Sequence, residues 1–236
     1  MHGLILAGGQ GTRLAQDGVA DPKVTVEIAG RAQLLWLVEA LAEGGCRSIT
    51  VLVRRHVTSA RELLAGMSLP VPLHLEACET PSSLHTLALG VARAPSGPLL
   101  VALGDTVMRP SDWASVSLAA HRVVATGHAG ALVVTPFVPD DHPLNVTVDE
   151  HRMVREVGGP AGDPHLVTAG TYVVGERLRL TVPGALQSGF TRLRQLLRHW
   201  VASGNAIEAL SVERAIDLDR REDLLAAEAL LNQDVA

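Results

Sequence analysis

Near the start of the chain, Gly8-Gly9-Gln10-Gly11-Thr12-Arg13 combines backbone freedom with a cation, and a lysine follows at Lys23. Glycines let a chain turn tightly and bring its N–H groups close to an anion. The apolar run Leu4-Ile5-Leu6-Ala7 just before reads as a buried strand. The segment is therefore a strand-to-loop turn suited to cradling phosphate. Two other phosphate loops do not fit. A Walker loop ends in Gly-Lys-Ser/Thr, which is absent, and the third glycine of a dinucleotide fingerprint is replaced by Leu14. Of the 20 basic residues 19 are arginine, so Lys23 is the only lysine. A compact ammonium kept here, in a chain that otherwise uses guanidinium, points to a site that needs a point charge.

A second chemical signal is Gly104-Asp105, which stops the apolar run Leu99–Leu103. A carboxylate at that strand end is placed to hold Mg2+ against phosphates. Late in the chain, Asp217 and Asp219 stand two residues apart in a strand-like stretch, where alternate side chains share a face. Glu222 and Asp223 read as first-turn acids at a helix N-terminus. The stretch Pro139-Asp140-Asp141-His142-Pro143 has acids and a histidine but no second ligand cluster, and reads as a solvated loop. Cys46 and Cys78 have neither zinc spacing nor the look of a disulfide framework, and fit a reducing compartment.

These residues need elements to position them. Ile49–Val53, Leu73–Leu75, Leu99–Leu103 and Ala131–Val134 read as further strands. Helical patterns lie between them. Leu34, Leu35, Leu37, Val38 and Leu41 form a face ended by Gly44-Gly45, residues near 57–66 and Leu84–Ala92 follow, and Ser111-Asp112-Trp113 opens another helix with a plausible cap. This β-α-β-α order implies a Rossmann-like, mostly parallel sheet with helices on both faces. Ligands in such α/β sheets sit beyond the carboxyl ends of the strands. Gly8–Arg13, Glu79–Ser83 and Gly104-Asp105 all fall at such ends. The second half has short strands at 145–148 and 153–157, another at Val167–Val174, a helix carrying Leu193, Leu196, Leu197, Trp200 and Val201, and a last helix from about Arg221 to Leu231. No linker or repeat divides the chain, so residues 1–236 are expected to form one domain, with one half to about 126 that carries the glycine loop and a second half after it.

Composition sets limits. The net charge of −5 gives no electrostatic reason to expect a nucleic-acid partner. No apolar run approaches the ~20 residues of a membrane helix. Met1-His2-Gly3-Leu4 has no basic region and runs straight into the glycine loop, so a signal peptide is not expected and the cytoplasm is the expected compartment.

Leu6-Ala7-Gly8-Gly9-Gln10-Gly11-Thr12-Arg13-Leu14, Pro22-Lys23 and Ala29-Gly30-Arg31 together resemble the signature of the sugar-phosphate nucleotidyltransferase family. The resemblance implies a loop that wraps a nucleoside triphosphate, through Leu6, Ala7, Gly8, Gly9, Gly11 and Thr12. It implies that Arg13 and Lys23 act catalytically by placing positive charge on the phosphates. It implies that Pro81, Ser83 and Gly104 also contact the nucleotide, and that Asp105 binds magnesium. Ala215–Leu224 resembles the family's late acid-bearing element, with Arg220-Arg221 in place of Thr-Pro; the second metal acid maps to Asp217 or Asp219, with Asp217 preferred. Thr168–Tyr172 resembles the strand that lines the acceptor pocket, implicating Gly170 and Tyr172.

Two departures bear on the acceptor. The family's Glu-Lys-Pro lysine is missing, so Arg152 or Arg155 is expected to grip the acceptor phosphate. Thr80–Leu87 resembles the version of the base-contact segment in phosphocholine-type cytidylyltransferases. The expected reaction joins a nucleoside triphosphate to a phosphorylated small-molecule acceptor, foremost a sugar 1-phosphate, with release of pyrophosphate. The alternatives are cytidylyl transfer to phosphocholine or a phosphonate, and a regulatory domain that binds nucleotide without turnover. Monomer and homo-oligomer are both open.

Overall fold

The computed structural model describes residues 1–55, 57–65, 67–137 and 143–232; His142 and its acidic neighbours Asp140 and Asp141 lie outside the described residues. The chain opens with β1 (His2–Ala7) and a short α1 (Thr12–Gln16), then the paired β2 (Glu27–Ile28) and β3 (Arg31–Ala32) lead into α2 (Gln33–Glu43). Next come β4 (Ile49–Arg54), α3 (Ser59–Leu64), β5 (Leu73–Cys78), α4 (Ser83–Arg93), β6 (Leu99–Leu103), β7 (Thr106–Val107) and α5 (Pro110–Ala125). The second half holds β8 (Gly130–Thr135), β9 (Asn145–Val148), β10 (Val154–Val157), β11 (Leu166–Val174), α6 (Glu176–Arg179), α7 (Val182–Gln187), α8 (Leu193–Ala202), β12 (Ile207–Ser211), β13 (Ile216–Asp217) and α9 (Arg221–Asn232).

Among the described residues, nine strands form one sheet, with the path β10-β9-β11-β6-β1-β4-β5 and with β8 and β12 added beside β11. The β6-β1-β4-β5 segment is parallel throughout, as the alternating pattern of the first half requires. Alternate strand residues feed two separate cores. Leu4, Leu6, Leu52 and Val101 pack under α4, α7 and α8 on one face. Ile5, Val51, Leu100 and Val133 pack under α2, α3 and α5 on the other. Their continuous apolar sequence is that of strands covered on both sides. A third cluster joins α9 to β2, β7 and β13 through Ile28, Val107, Ile216 and Leu230.

Within the sheet, β11 runs antiparallel between β6 and β8. One local boundary shifts. The helix expected to open at Ser111 starts at Pro110, with Arg109 at the cap and no side-chain cap bond. Proline lacks an N–H and presets a helical φ, which suits the first turn. Asp112 instead accepts from Arg109 Nε at 3.1 Å.

Candidate active site

The carboxyl ends of β1, β5 and β6 converge as the strand pattern requires. Gly11 caps α1 at a left-handed φ of 62°, open to glycine at little cost, and the Lys23 stem packs against it. Lys23 is aimed by a tight turn in which Thr25 N and Val26 N both donate to Pro22 O, at 2.8 and 3.1 Å. At the end of β6, a Cβ on Gly104 would stand 2.9 Å from the Ala7 Cα. Only glycine allows the two strand ends to approach this closely, and Gly104 N donates to Leu6 O at 3.0 Å. Gly104 thereby sets Asp105 beside the glycine loop.

The late acids reach the same place through β13. It pairs antiparallel with β7, aligning Asp217 with Thr106, and Leu218 N donates to Asp105 O at 3.0 Å. Lys23 Nζ donates to Asp219 Oδ1 at 2.7 Å and to Asp105 Oδ2 at 3.2 Å. Arg13 pairs with the other Asp219 oxygen. Thus Arg13, Lys23, Asp105, Asp217 and Asp219, drawn from four separate segments, form one cluster. The two late acids divide the work. Asp217 faces Asp105, whereas Asp219 lies beyond the end of β13 and serves the two cations.

The charges are unevenly matched. Asp217 is exposed where it opens onto a cavity, and the packing around its carboxyl removes part of its hydration. This desolvation, and then the Asp105 charge, push its carboxyl well above the usual carboxylate range. Burial works against the Lys23 charge, but Asp105 and the Asp219 hydrogen bond outweigh it and hold the ammonium protonated to higher pH. Burial also opposes the Asp219 charge, and its bonds to Lys23 and Arg13 overcome that and lower its pKa.

Among the described residues no group of three or more His, Cys, Asp and Glu side chains is arranged to enclose a metal. Two adjacent carboxylates, one with its charge disfavoured by the other, nevertheless suit a magnesium ion. That ion typically takes one or two carboxylates and completes its shell with phosphate oxygens and water. Asp105 and Asp217 are the residues that would hold it, with Asp219 beside them.

Next to Asp217 opens a cavity of about 210 Å3, lined by Ser83, Thr106, Thr168, Gly170, Tyr172 and Arg194 among others. Gly170 has a φ of 66° and marks an irregularity in the β11–β8 pairing; a Cβ there would run into the Thr106 hydroxyl. Tyr172 is 5% exposed, and burial raises its pKa. It is at once a core residue and part of the wall. Arg155 does not line the cavity. It sits on β10, paired with Asp149, while Arg152 reaches toward Glu208 at 3.5 Å. The cation that lines the cavity is Arg194, on the first turn of α8. Nothing in its local sequence distinguishes it from the other arginines.

Pro81 is exposed and Ser83 is the first residue of α4, whose cap is Ser82; the Ser82 hydroxyl lies 2.9 Å from His85 Nδ1. Gln33, unremarkable in the sequence, opens α2 and donates from Nε2 to Thr106 O at 2.8 Å, bracing the strand that follows Asp105. Both cysteines are buried and free.

A glycine loop, a half-buried ammonium and paired acids thus meet at the carboxyl edge of an α/β sheet. The chain belongs to the family of the MobA-like NTP transferase domain, whose model matches residues 3–199. It is 33% identical over 185 residues to the mannose-1-phosphate guanyltransferase of Eremothecium gossypii, a match covering 75% of this chain and 48% of that protein. It is 31% identical over 128 residues to the bifunctional protein GlmU of Mycolicibacterium gilvum, covering 50% of this chain and 24% of that one. The chain thus spans from a quarter to about half the length of these relatives. The fold matches the inositol-1-phosphate CTP transferase from T. maritima with a TM-score of 0.78 over 100% of this chain and 97% of that one, at 18% identity. Among the described residues, no helix is long and apolar enough to cross a membrane.

Proposed function

We propose that the chain is a magnesium-dependent nucleotidyltransferase that joins a nucleoside triphosphate to a sugar 1-phosphate and releases pyrophosphate. The observation that carries this reading is the cluster of Lys23, Arg13, Asp105, Asp217 and Asp219, set between the glycine loop and the cavity that holds Gly170, Tyr172 and Arg194. Family membership and the guanyltransferase relatives support it.

In this reading the loop Gly8–Thr12 receives the triphosphate, and Arg194 faces the acceptor's phosphate. An acceptor phosphate oxygen attacks the α-phosphorus as the bond from that phosphorus to the departing pyrophosphate oxygen breaks. The attacking oxygen is already anionic, so no general base is needed. Lys23 and Arg13 turn from Asp219 to the phosphoryl oxygens, where negative charge spreads in the transition state. Magnesium, when bound at Asp105 and Asp217, supplies Lewis-acid stabilisation of the same charge. A cation directed at transition-state charge in a partly dry site contributes about 10²–10³-fold in rate. Lys23→Ala and Asp105→Ala are each expected to abolish most pyrophosphate release while the far-ultraviolet circular dichroism stays that of the wild type. Undiminished release by both variants would sink the assignment.

A further inference from the structure

The glycine loop is gripped by a residue that lies outside its own motif. In a trans peptide the carbonyl of one residue and the N–H of the next point in opposite directions. Whatever fixes the Gly8 carbonyl therefore aims the Gly9 amide. Arg54, the last residue of β4, donates from Nε to Gly8 O at 3.0 Å. Its Nη1 donates to Glu79 Oε2 at 2.8 Å, just past the end of β5, and Arg55 N donates to Glu79 Oε1 at 3.2 Å. The Arg54 side chain is only 15% exposed. On the other flank, a Cβ on Gly8 would stand 2.9 Å from Thr86 Oγ1, which itself lies 2.6 Å from Thr80 Oγ1. Gly8 is thus held on two sides, while the position of a Gly9 side chain has nothing within 4 Å.

We propose that Arg54 is a positioning residue for the triphosphate: by holding the Gly8 carbonyl it presents the Gly9 N–H to the phosphates, and Glu79 locks the guanidinium in that orientation. The proposal rests on the nucleotidyltransferase reading above. It links three neighbouring parallel strands, β1, β4 and β5, through one side chain at the edge where the nucleotide enters. Arginine suits the task because its fork bonds two acceptors in fixed directions at once. A lysine ammonium keeps the charge but not the fork.

The test is calorimetric titration of wild type, Arg54→Gln, Arg54→Lys and Glu79→Gln with inorganic tripolyphosphate and with each common nucleoside triphosphate, beside steady-state KM for nucleotide and for acceptor. Arg54→Gln should weaken triphosphate binding and raise the nucleotide KM by roughly tenfold, the scale of one lost charge-assisted hydrogen bond. The acceptor KM should stay within about twofold, because the acceptor pocket is not built on this strand end. Arg54→Lys should recover only part of the loss, and Glu79→Gln should weaken binding by a smaller factor of about three. Wild-type triphosphate affinity in Arg54→Gln overturns the proposal, as does full rescue by lysine, which would leave charge alone as the cause. An equal rise in both KM values also overturns it, since a general loosening of the fold would produce that. If Arg54→Gln does not fold, Glu79→Gln decides, and unchanged affinity in it rejects the idea. Wild-type protein that neither binds a triphosphate nor releases pyrophosphate removes the functional reading itself. Wild-type activity with an unaffected Arg54→Gln removes only this proposal.

Discussion

At the carboxyl ends of the parallel strands, Asp105, Asp217 and Asp219 crowd around one half-buried lysine and one half-exposed arginine, beside an open cavity. At the opposite edge of the sheet, buried polar groups find their hydrogen-bond partners. Arg179, 8% exposed, donates to the carbonyls of Val91, Ala94, Pro95 and Gly97, closing the C-terminus of α4. Glu208, 3% exposed, takes both forks of Arg122, at 3.0 and 2.6 Å. His2 places its two ring nitrogens on the hydroxyls of Ser48 and Thr50, at 2.8 and 3.0 Å. The difference separates two uses of polar groups. One end spends its charges on holding the fold. The other leaves like charges in conflict, a stability cost that the proposed function would account for.

The contrast can be broken at either end. The largest effect is expected from Asp217→Asn. It removes a carboxylate whose charge the fold disfavours, so activity should fall by about 10²–10³-fold while stability rises. Discounted for the side open to solvent, the gain is about 1 kcal/mol, or some 2–4 °C in Tm. Loss of both activity and stability in thermal melts would show that Asp217 is a structural acid. Arg179→Ala should do the reverse. Stranding several buried carbonyls costs about 3–4 kcal/mol, while kcat/KM per folded molecule stays that of the wild type. Urea titration beside an activity assay reads both, and an equal loss of activity would merge the two regions. The smallest effect concerns pH. Burial, then the nearby Arg179 charge and the N-terminus, lower the His2 pKa to about 4. The folded state therefore prefers neutral histidine. Its contribution is complete above the unfolded value near 6.5 and declines as pH falls from there to about 4, by roughly 2–3 kcal/mol in all. In His2→Asn that part of the acid decline should disappear; an unchanged pH–stability curve would place the acid sensitivity elsewhere.

How much of this was legible in the sequence depends on the range of each interaction. The glycine loop, Arg13 and Lys23 lie within one short stretch, and their residue types alone lead to the phosphate site proposed above. Although β12, α6 and α7 were not among the elements expected, the longer strands and helices were also legible as apolar runs and helical faces. The order of strands in the sheet was not: the insertion of β11 between β6 and β8 is a tertiary choice that no local pattern records. The same holds for Gln33 on the Thr106 carbonyl, 73 residues away, and Arg54 on Gly8, 46 residues away. Arg194 lines the cavity while Arg152 and Arg155, the arginines expected at the acceptor phosphate, do not, a difference hidden in a sequence where 19 of 20 cations are arginine. Asp217 and Asp219 share a spacing but not a role, since β13 ends at Asp217 and the chain then turns Asp219 onto the cations.

The central claim is that the crowded end of the sheet performs nucleotidyl transfer. Its most direct test is a pyrophosphate-release assay on the wild-type chain with magnesium, crossing the common nucleoside triphosphates with sugar 1-phosphates, phosphocholine and simple phosphonates. The account predicts that a nucleotide paired with a sugar 1-phosphate releases pyrophosphate in step with an equimolar nucleotide-linked product. Release with phosphocholine or a phosphonate alone would contradict the acceptor, and nucleotide binding with no release from any pair would contradict the account.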